Sequence, residues 1–168
     1  MKHALQALLQ LRNEGTLAGF AVGGAVAASF YAEAVATEDL DVFAFMVPSS
    51  GGLLVLTPLY ERLKALGGVV RAEHVVIDGW PVQILPAYTP LVEEAITRAQ
   101  LQQFAGLQVP VVDADYLCAI ALQTGRAKDF ARVHNLISAN AVDTTRLGSI
   151  IEAHTLLERW NSYVKRYT

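Results

Sequence analysis

The chain has 168 residues, 53% of them hydrophobic and 17% charged, with a formal net charge of −3 at pH 7. That balance excludes an intrinsically disordered chain and supplies one well-cored domain, alone or with a small helical appendage. A single cysteine, Cys118, excludes an intrachain disulfide framework, and the lack of a basic excess argues against long duplex DNA as a ligand.

Taken in chain order, residues 2–14 read as an amphipathic helix, with Leu5, Leu8, Leu9 and Leu11 near helical spacing and Gly15 as its cap. The apolar run Leu17 to Ala32 is too short for a span of ~20 strongly apolar residues. It is also rich in Ala and Gly, and Glu33, Glu38, Asp39 and Asp41 follow it at once. It reads instead as a strand to Val22, a break at Gly23 and Gly24, and a helix from Ala25 to Tyr31. No secretory leader opens the chain, and a cytoplasmic protein is the expectation, consistent with the lone buried-type cysteine.

Glu38 to Met46 alternates as a strand does, with acid at its entry. A loop at Pro48, Ser49, Ser50, Gly51 and Gly52 precedes a helix that Pro58 opens and Gly67 and Gly68 end. Val69 to Ile77 and Trp80 to Leu85 read as two strands of a hairpin, because Asp78 and Gly79 tolerate the positive φ angles of a primed two-residue turn. Pro90 opens a helix through about Gln100, and Gln102 to Val109 reads as a short extended segment. From Asp113 onward the pattern is helical: Ala114 to Gln123, Lys128 to Ile137, a helix capped by Asp143, and a last one from Thr155 to Arg166. The change from strands to helices near Pro110 divides an α/β core at 1–110 from a helical part at 111–168.

The charges divide along the same line. Residues 1–112 carry six Lys and Arg against ten Asp and Glu, and residues 113–168 carry seven against six. Such a split suits a metal-phosphate ligand held between an acidic part and a mildly basic one, and it equally suits plain surface solvation.

Chemistry concentrates where Gly23 and Gly24 precede Thr37, Glu38, Asp39, Leu40 and Asp41. A strand repeats its side-chain direction every two residues, so Asp39 and Asp41 share a face and can hold hard cations jointly. Two such ions about 4 Å apart would clamp an in-line phosphoryl displacement. Paired glycines at a helix start let backbone N–H groups approach a phosphate. The plain alternatives are a turn and a solvated strand end. A dinucleotide-binding reading fails on spacing, since Gly19, Gly23 and Gly24 do not form G-x-G-x-x-G.

The order and spacing of these blocks resemble a known family. The Gly23 and Gly24 turn, the stretch Thr37 to Val42, the hairpin His74 to Ala87 and the run Leu122 to Asp129 are together similar to the minimal nucleotidyltransferases of the DNA polymerase beta superfamily. The branch in question is the one related to abortive-infection type toxins. The resemblance covers roughly residues 18 to 140 and implies an α/β nucleotidyltransferase fold with a mixed sheet and a helical C-terminal part. It also implies Mg²⁺-dependent transfer of NMP from an NTP to a hydroxyl of RNA, protein or a small molecule, with an antitoxin-like protein partner for a toxin-like member. By position, Gly23 and Gly24 would hold the triphosphate and Asp39 and Asp41 the metal. Lys128 would reach the nucleotide phosphates, Asp129 would fix the lysine or its helix, and Arg126 would add a phosphate contact. The residue-level alternative for Lys128 and Asp129 is an ordinary helix N-terminus.

The chain departs from that family pattern at two places. Gln83 stands where relatives with demonstrable chemistry carry a third carboxylate, and a neutral amide neither deprotonates a hydroxyl nor binds a second cation strongly. Val35 stands near the position of an arginine found in many relatives. A degenerate nucleotide-binding or protein-interaction module of the same fold is therefore the second reading. His74 reads as an edge-strand histidine or as a substitute base. His134 and His154 lack partners at zinc-ligand spacing, and Trp80, Trp160, Tyr163 and Tyr167 read as packing.

Overall fold

A computed structural model describes residues 1–47 and 56–167. The expected loop at Pro48 to Gly52 lies outside the described residues. Among those described, the chain forms α1 (Lys2–Asn13), β1 (Leu17–Val22), α2 (Gly24–Ala28), β2 (Leu40–Met46), α3 (Thr57–Ala65), β3 (Val69–Arg71), β4 (His74–Ile77) and β5 (Trp80–Pro86). It continues through α4 (Pro90–Thr97), β6 (Gln100–Phe104), β7 (Leu107–Val111), α5 (Ala114–Thr124), α6 (Ala127–Ser138), α7 (Thr144–Ala153) and α8 (Leu157–Tyr167). No described helix is long and apolar enough to cross a membrane.

The strands form one seven-stranded mixed sheet in the order β3-β4-β5-β2-β1-β7-β6. At its centre β2 pairs antiparallel with β1 and parallel with β5. β1 also pairs parallel with β7, which turns back into β6. This is the mixed-sheet α/β architecture the sequence implied. Leu40, Val42 and Ala44 of β2 are buried, as are Leu8 and Leu11 of α1, Leu91 of α4 and Leu122 of α5, so β2 runs through the middle of the apolar core. Burying each large aliphatic side chain contributes about 1.5–3 kcal/mol.

Turn chemistry decides where the sequence reading and the structure part. Asp78 and Gly79 take φ of 51° and 76°, as the primed turn requires. The run Val69 to Ile77, expected as one strand, is two: β3 and β4 are joined at Ala72, whose φ of 52° has no sequence signature. The extended segment expected at Gln102 to Val109 is likewise a hairpin of β6 and β7, turning at Ala105 and Gly106 with φ of 50° and 85°. α2 stops at Ala28 rather than Tyr31, where Ser29 Oγ donates to the Val26 carbonyl at 2.6 Å and competes with further helix. α4 ends at Thr97 because Gln100 already belongs to the β6 ladder.

The helices that carry the site are tightly capped. Asp113 accepts the Tyr116 N–H at 3.0 Å to start α5, and Gly125 ends it in the left-handed conformation at φ 71°. The chain then reverses within a few residues into α6, and α5 packs against α2, α6 and α7. The start of α6 thereby lines one cavity with Asp41 of β2.

Candidate active site

Site geometry starts from one row of residues across the sheet. Asp41 on β2 lies in register with Gln83 on β5, and Gln83 with His74 on β4. On the other side the Gly23 N–H donates to the Asp41 carbonyl at 2.9 Å. Directly paired residues share a face, so Asp41, Gln83 and His74 project the same way.

Each glycine has its own task. Gly23 is buried and spends its N–H on the sheet; a Cβ there would lie 2.3 Å from Cε2 of Phe43. Its amide is thus taken, which narrows the expected phosphate-facing backbone to Gly24 and Ala25. Gly24 holds φ 59°, and a Cβ there would lie 2.0 Å from Oδ2 of Asp41. The Asp41 carboxylate therefore rests against the bare Cα of Gly24, in space that only glycine leaves open.

A cavity of roughly 570 Å³ opens above this row. One wall holds Gly24, Asp39, Asp41 and Gln83, and the opposite wall holds Arg126, Lys128, Asp129 and Arg132 from the start of α6. A third, apolar side is built from Ala28, Ala32, Leu117, Ile120 and Leu136. The size and the mixture of apolar and charged lining fit a pocket for a polar small molecule.

The electrostatics of the two walls are complementary. Burial, and then the neighbouring Asp39, push the Asp41 carboxyl above its ordinary range, and Arg132, Lys128 and Arg126 pull it back. Asp39 accepts the Thr37 hydroxyl at 3.0 Å, which fixes its direction at the mouth of β2. On the facing helix, Asp129 is 1% exposed and accepts from the backbone N–H of Arg126 at 3.2 Å, capping α6. Its two oxygens also take a fork from Arg126, Nε at 2.7 Å and Nη2 at 3.2 Å, and Arg132 Nη1 approaches at 3.4 Å. Lys128 is exposed and forms no ion pair among the described residues.

The donor set fits one divalent cation. Magnesium is commonly held by one or two carboxylates together with substrate phosphates and water, and Asp39 and Asp41 supply that pair on one side of the cavity. Burial, and then repulsion by Asp39, raise the Asp41 pKa, and a cation between the two would relieve both. Gln83 occupies the register position beside Asp41, and among the described residues no group of three or more His, Cys, Asp or Glu is arranged to hold a metal ion.

Other expected residues sort plainly. His74 is not at the sheet edge, since β3 lies outside β4; its Nε2 lies 3.9 Å from Asp39 Oδ2, beyond the cavity lining. Val35 lines the cavity and is 57% exposed, an apolar side chain at its rim. His134 stacks on Tyr167 at 5.3 Å, and Tyr163 packs between Tyr167 and Trp160, so these aromatics are packing. Cys118 is fully buried, with its thiol pKa raised by that burial, and is inert. Arg132 and Asn135 were not singled out from sequence; both line the cavity, four and seven residues after Lys128 on a helix whose period brings them to one face.

The seven-stranded mixed sheet with its flanking helices has the nucleotidyltransferase fold, as its likeness to solved structures shows. Structures with the same fold include the antibiotic-resistance factor ANT(2'')-Ia in solution, at a TM-score of 0.57 and 14% identity, covering 99% of this chain and 98% of that one. Crystalline ANT(2'')-Ia in complex with adenylyl-2''-tobramycin also matches, at 0.57 and 15%, over 98% and 97% of the two chains. So does an antigenic nucleotidyltransferase-like protein from Paracoccidioides brasiliensis, at 0.56 and 14%, over 98% and 91%. No family model and no curated protein matches the sequence.

Proposed function

We propose that the cavity binds a nucleoside triphosphate with Mg²⁺ and transfers its NMP to a hydroxyl of an acceptor. The carrying observation is the opposition of Asp39 and Asp41 to Arg126, Lys128 and Arg132 across one cavity, with Gly24 beneath the acids. In the transfer, the acceptor oxygen forms a bond to the α-phosphorus, the bond from that phosphorus to the bridging oxygen breaks, and pyrophosphate leaves with the electron pair. A cation held by Asp39 and Asp41 would supply charge neutralisation at the phosphates. Lys128 and Arg126 bind the phosphate oxygens, as guanidinium and ammonium groups do through charge-assisted hydrogen bonds. Gly24 admits the ligand close to the backbone, and the apolar side formed by Ala28, Ala32 and Leu136 takes the nucleoside and excludes water.

The register position beside Asp41 offers no carboxylate to the proton of the attacking hydroxyl. Gln83 holds the register position beside Asp41 and, as an amide, orients a hydroxyl without deprotonating it. The proton then leaves to solvent, to a basic group on the acceptor, or to Glu33, a carboxylate that also lines the cavity. ANT(2'')-Ia in complex with adenylyl-2''-tobramycin is a case of this fold with an adenylylated small molecule, which supports a small-molecule acceptor over RNA or protein here. A toxin-like role with an antitoxin-like partner in the cytoplasm is the setting that the sequence resemblance supports.

One observation favours a second reading. With Gln83 in place of a third acid, the same cavity serves a protein that binds a nucleotide without turning it over. Incubation with α-labelled NTPs and Mg²⁺, against fractions of RNA, protein and small metabolites, separates the two. Transfer predicts a labelled product that disappears in Asp41→Asn; nucleotide binding with no labelled product in any fraction overturns the enzyme reading in favour of the module.

A further inference from the structure

The three cations on the wall facing the acids are not equivalent. Arg126 is 60% exposed, and one edge of its guanidinium, Nε and Nη2, is held by Asp129. Lys128, at the solvent side of the same turn, is a flexible point charge. Arg132 differs from both. Its side chain is only 19% exposed, it lines the cavity, and a single contact of 3.4 Å from Nη1 to Asp129 is the one hydrogen bond it makes among the described residues. A guanidinium offers five N–H donors, so most of its capacity is left facing the cavity.

Its position follows from helix geometry. Lys128 and Arg132 are four apart and lie on one face of α6, with Arg126 at the N-cap. From residue 126 to residue 132 the helix rises about 9 Å at ~1.5 Å per residue, which exceeds the span of one phosphate group. Asp129, buried to 1% exposure, pairs with both arginines, the exposed Arg126 and the largely buried Arg132.

From this arrangement the geometry points to Arg132 as a ligand of the polyphosphate chain of the nucleotide, with Asp129 as the residue that positions it. This inference rests on the nucleotide reading above and deepens it. Arg126 and Lys128 tether the chain at the open end of α6, and Arg132 engages it inside, across from Asp39 and Asp41. The site therefore distinguishes nucleotides by the number of phosphates, because a monophosphate has too short a chain to meet all three cations. Asn135, one turn further and also on the cavity, lies past the phosphates on the nucleoside side.

The test is calorimetric titration of the full chain with ATP, GTP, CTP and UTP in Mg²⁺, with the matching mono- and diphosphates, for wild type, Arg132→Gln and Arg132→Lys. The expected result for Arg132→Gln is a loss of tenfold or more in affinity for the preferred triphosphate, with monophosphate affinity changed less than threefold. Arg132→Lys keeps the charge and loses the fork, so it should fall between. If Arg132→Gln does not fold, Arg132→Lys carries the test, with a three- to tenfold selective loss expected. Triphosphate affinity equal to wild type in the folded variants, or an equal loss for mono- and triphosphate, overturns the role of Arg132 and leaves the nucleotide site standing. A wild-type chain that binds no nucleotide overturns the nucleotide reading itself, and this inference with it.

Discussion

Asp41 pays a folding penalty for its place. Its carboxyl is pushed above the ordinary value of 3.8 by burial and by Asp39, so the folded chain disfavours the charge it carries at neutral pH. A raised folded pKa means stability present at low pH and lost as pH rises through that pKa. Asp41→Asn should accordingly raise Tm at pH 7 in the absence of ligand, and the gain should shrink as pH falls toward 3.8; scanning calorimetry across that range checks it, and a lower Tm for the variant at pH 7 would contradict it. Gly24 supplies the other half of the site. Gly24→Ala must hold φ 59° with a Cβ that meets the Asp41 carboxylate, so it should lose about 1–3 kcal/mol. It should also displace that carboxylate and lose Mg²⁺-dependent nucleotide binding, both readable from urea unfolding with and without nucleotide.

At the scale of elements, α6 is the piece on which the site depends. Its N-terminus is held by Asp129, whose carboxylate caps the backbone and binds two arginines at once. Asp129→Ala removes the cap and leaves both guanidinium groups without their partner, and should cost about 1.5–3 kcal/mol. Hydrogen exchange should show α6 fraying from Ala127 while α1 and the sheet keep their protection; uniform loss across the chain would contradict this.

Elements also show what the sequence made legible. The helices that combine a clear apolar period with a capping residue, such as α5 behind Asp113 and α7 behind Asp143, stand where their signals place them. The hairpin at Asp78 and Gly79 announces itself because those residue types tolerate positive φ. The turns at Ala72 and Ala105 do not, since alanine there is imposed by the pairing of the strands on either side. The same holds in the site. The shared face of Asp39 and Asp41 is legible from spacing and Lys128 is singled out only through the family resemblance, whereas the pairing of Arg132 with the buried Asp129 is a property of packing. Its one sequence signal is the interval of four from Lys128.

Over the whole molecule, acid should loosen the fold through the pair that ties α1 to α3. Glu14 accepts from Arg62 Nε and Nη2 at 2.8 and 2.7 Å, and those bonds, with a further one from Gln10, lower its pKa from 4.5 to about 2. A lowered folded pKa gives stability present above pH 4.5 and lost as pH falls through about 2. Glu14→Gln should therefore flatten the fall in Tm over that interval, and 0.5 M salt should mute the difference because the pair is exposed. An unchanged acid slope at low salt would contradict it.

The central claim is that the acids at the start of β2 and the cations at the start of α6 enclose a metal-nucleotide complex, and its most direct measurement is thermal unfolding with each NTP, with and without Mg²⁺, on wild type and Asp41→Asn. A ligand present at a hundred times its Kd stabilises a fold by ~2.7 kcal/mol. The account predicts an upward shift for wild type that requires both NTP and Mg²⁺ and is absent in Asp41→Asn. No shift with any nucleotide, or one that is indifferent to Mg²⁺ and to the loss of the Asp41 charge, would contradict it.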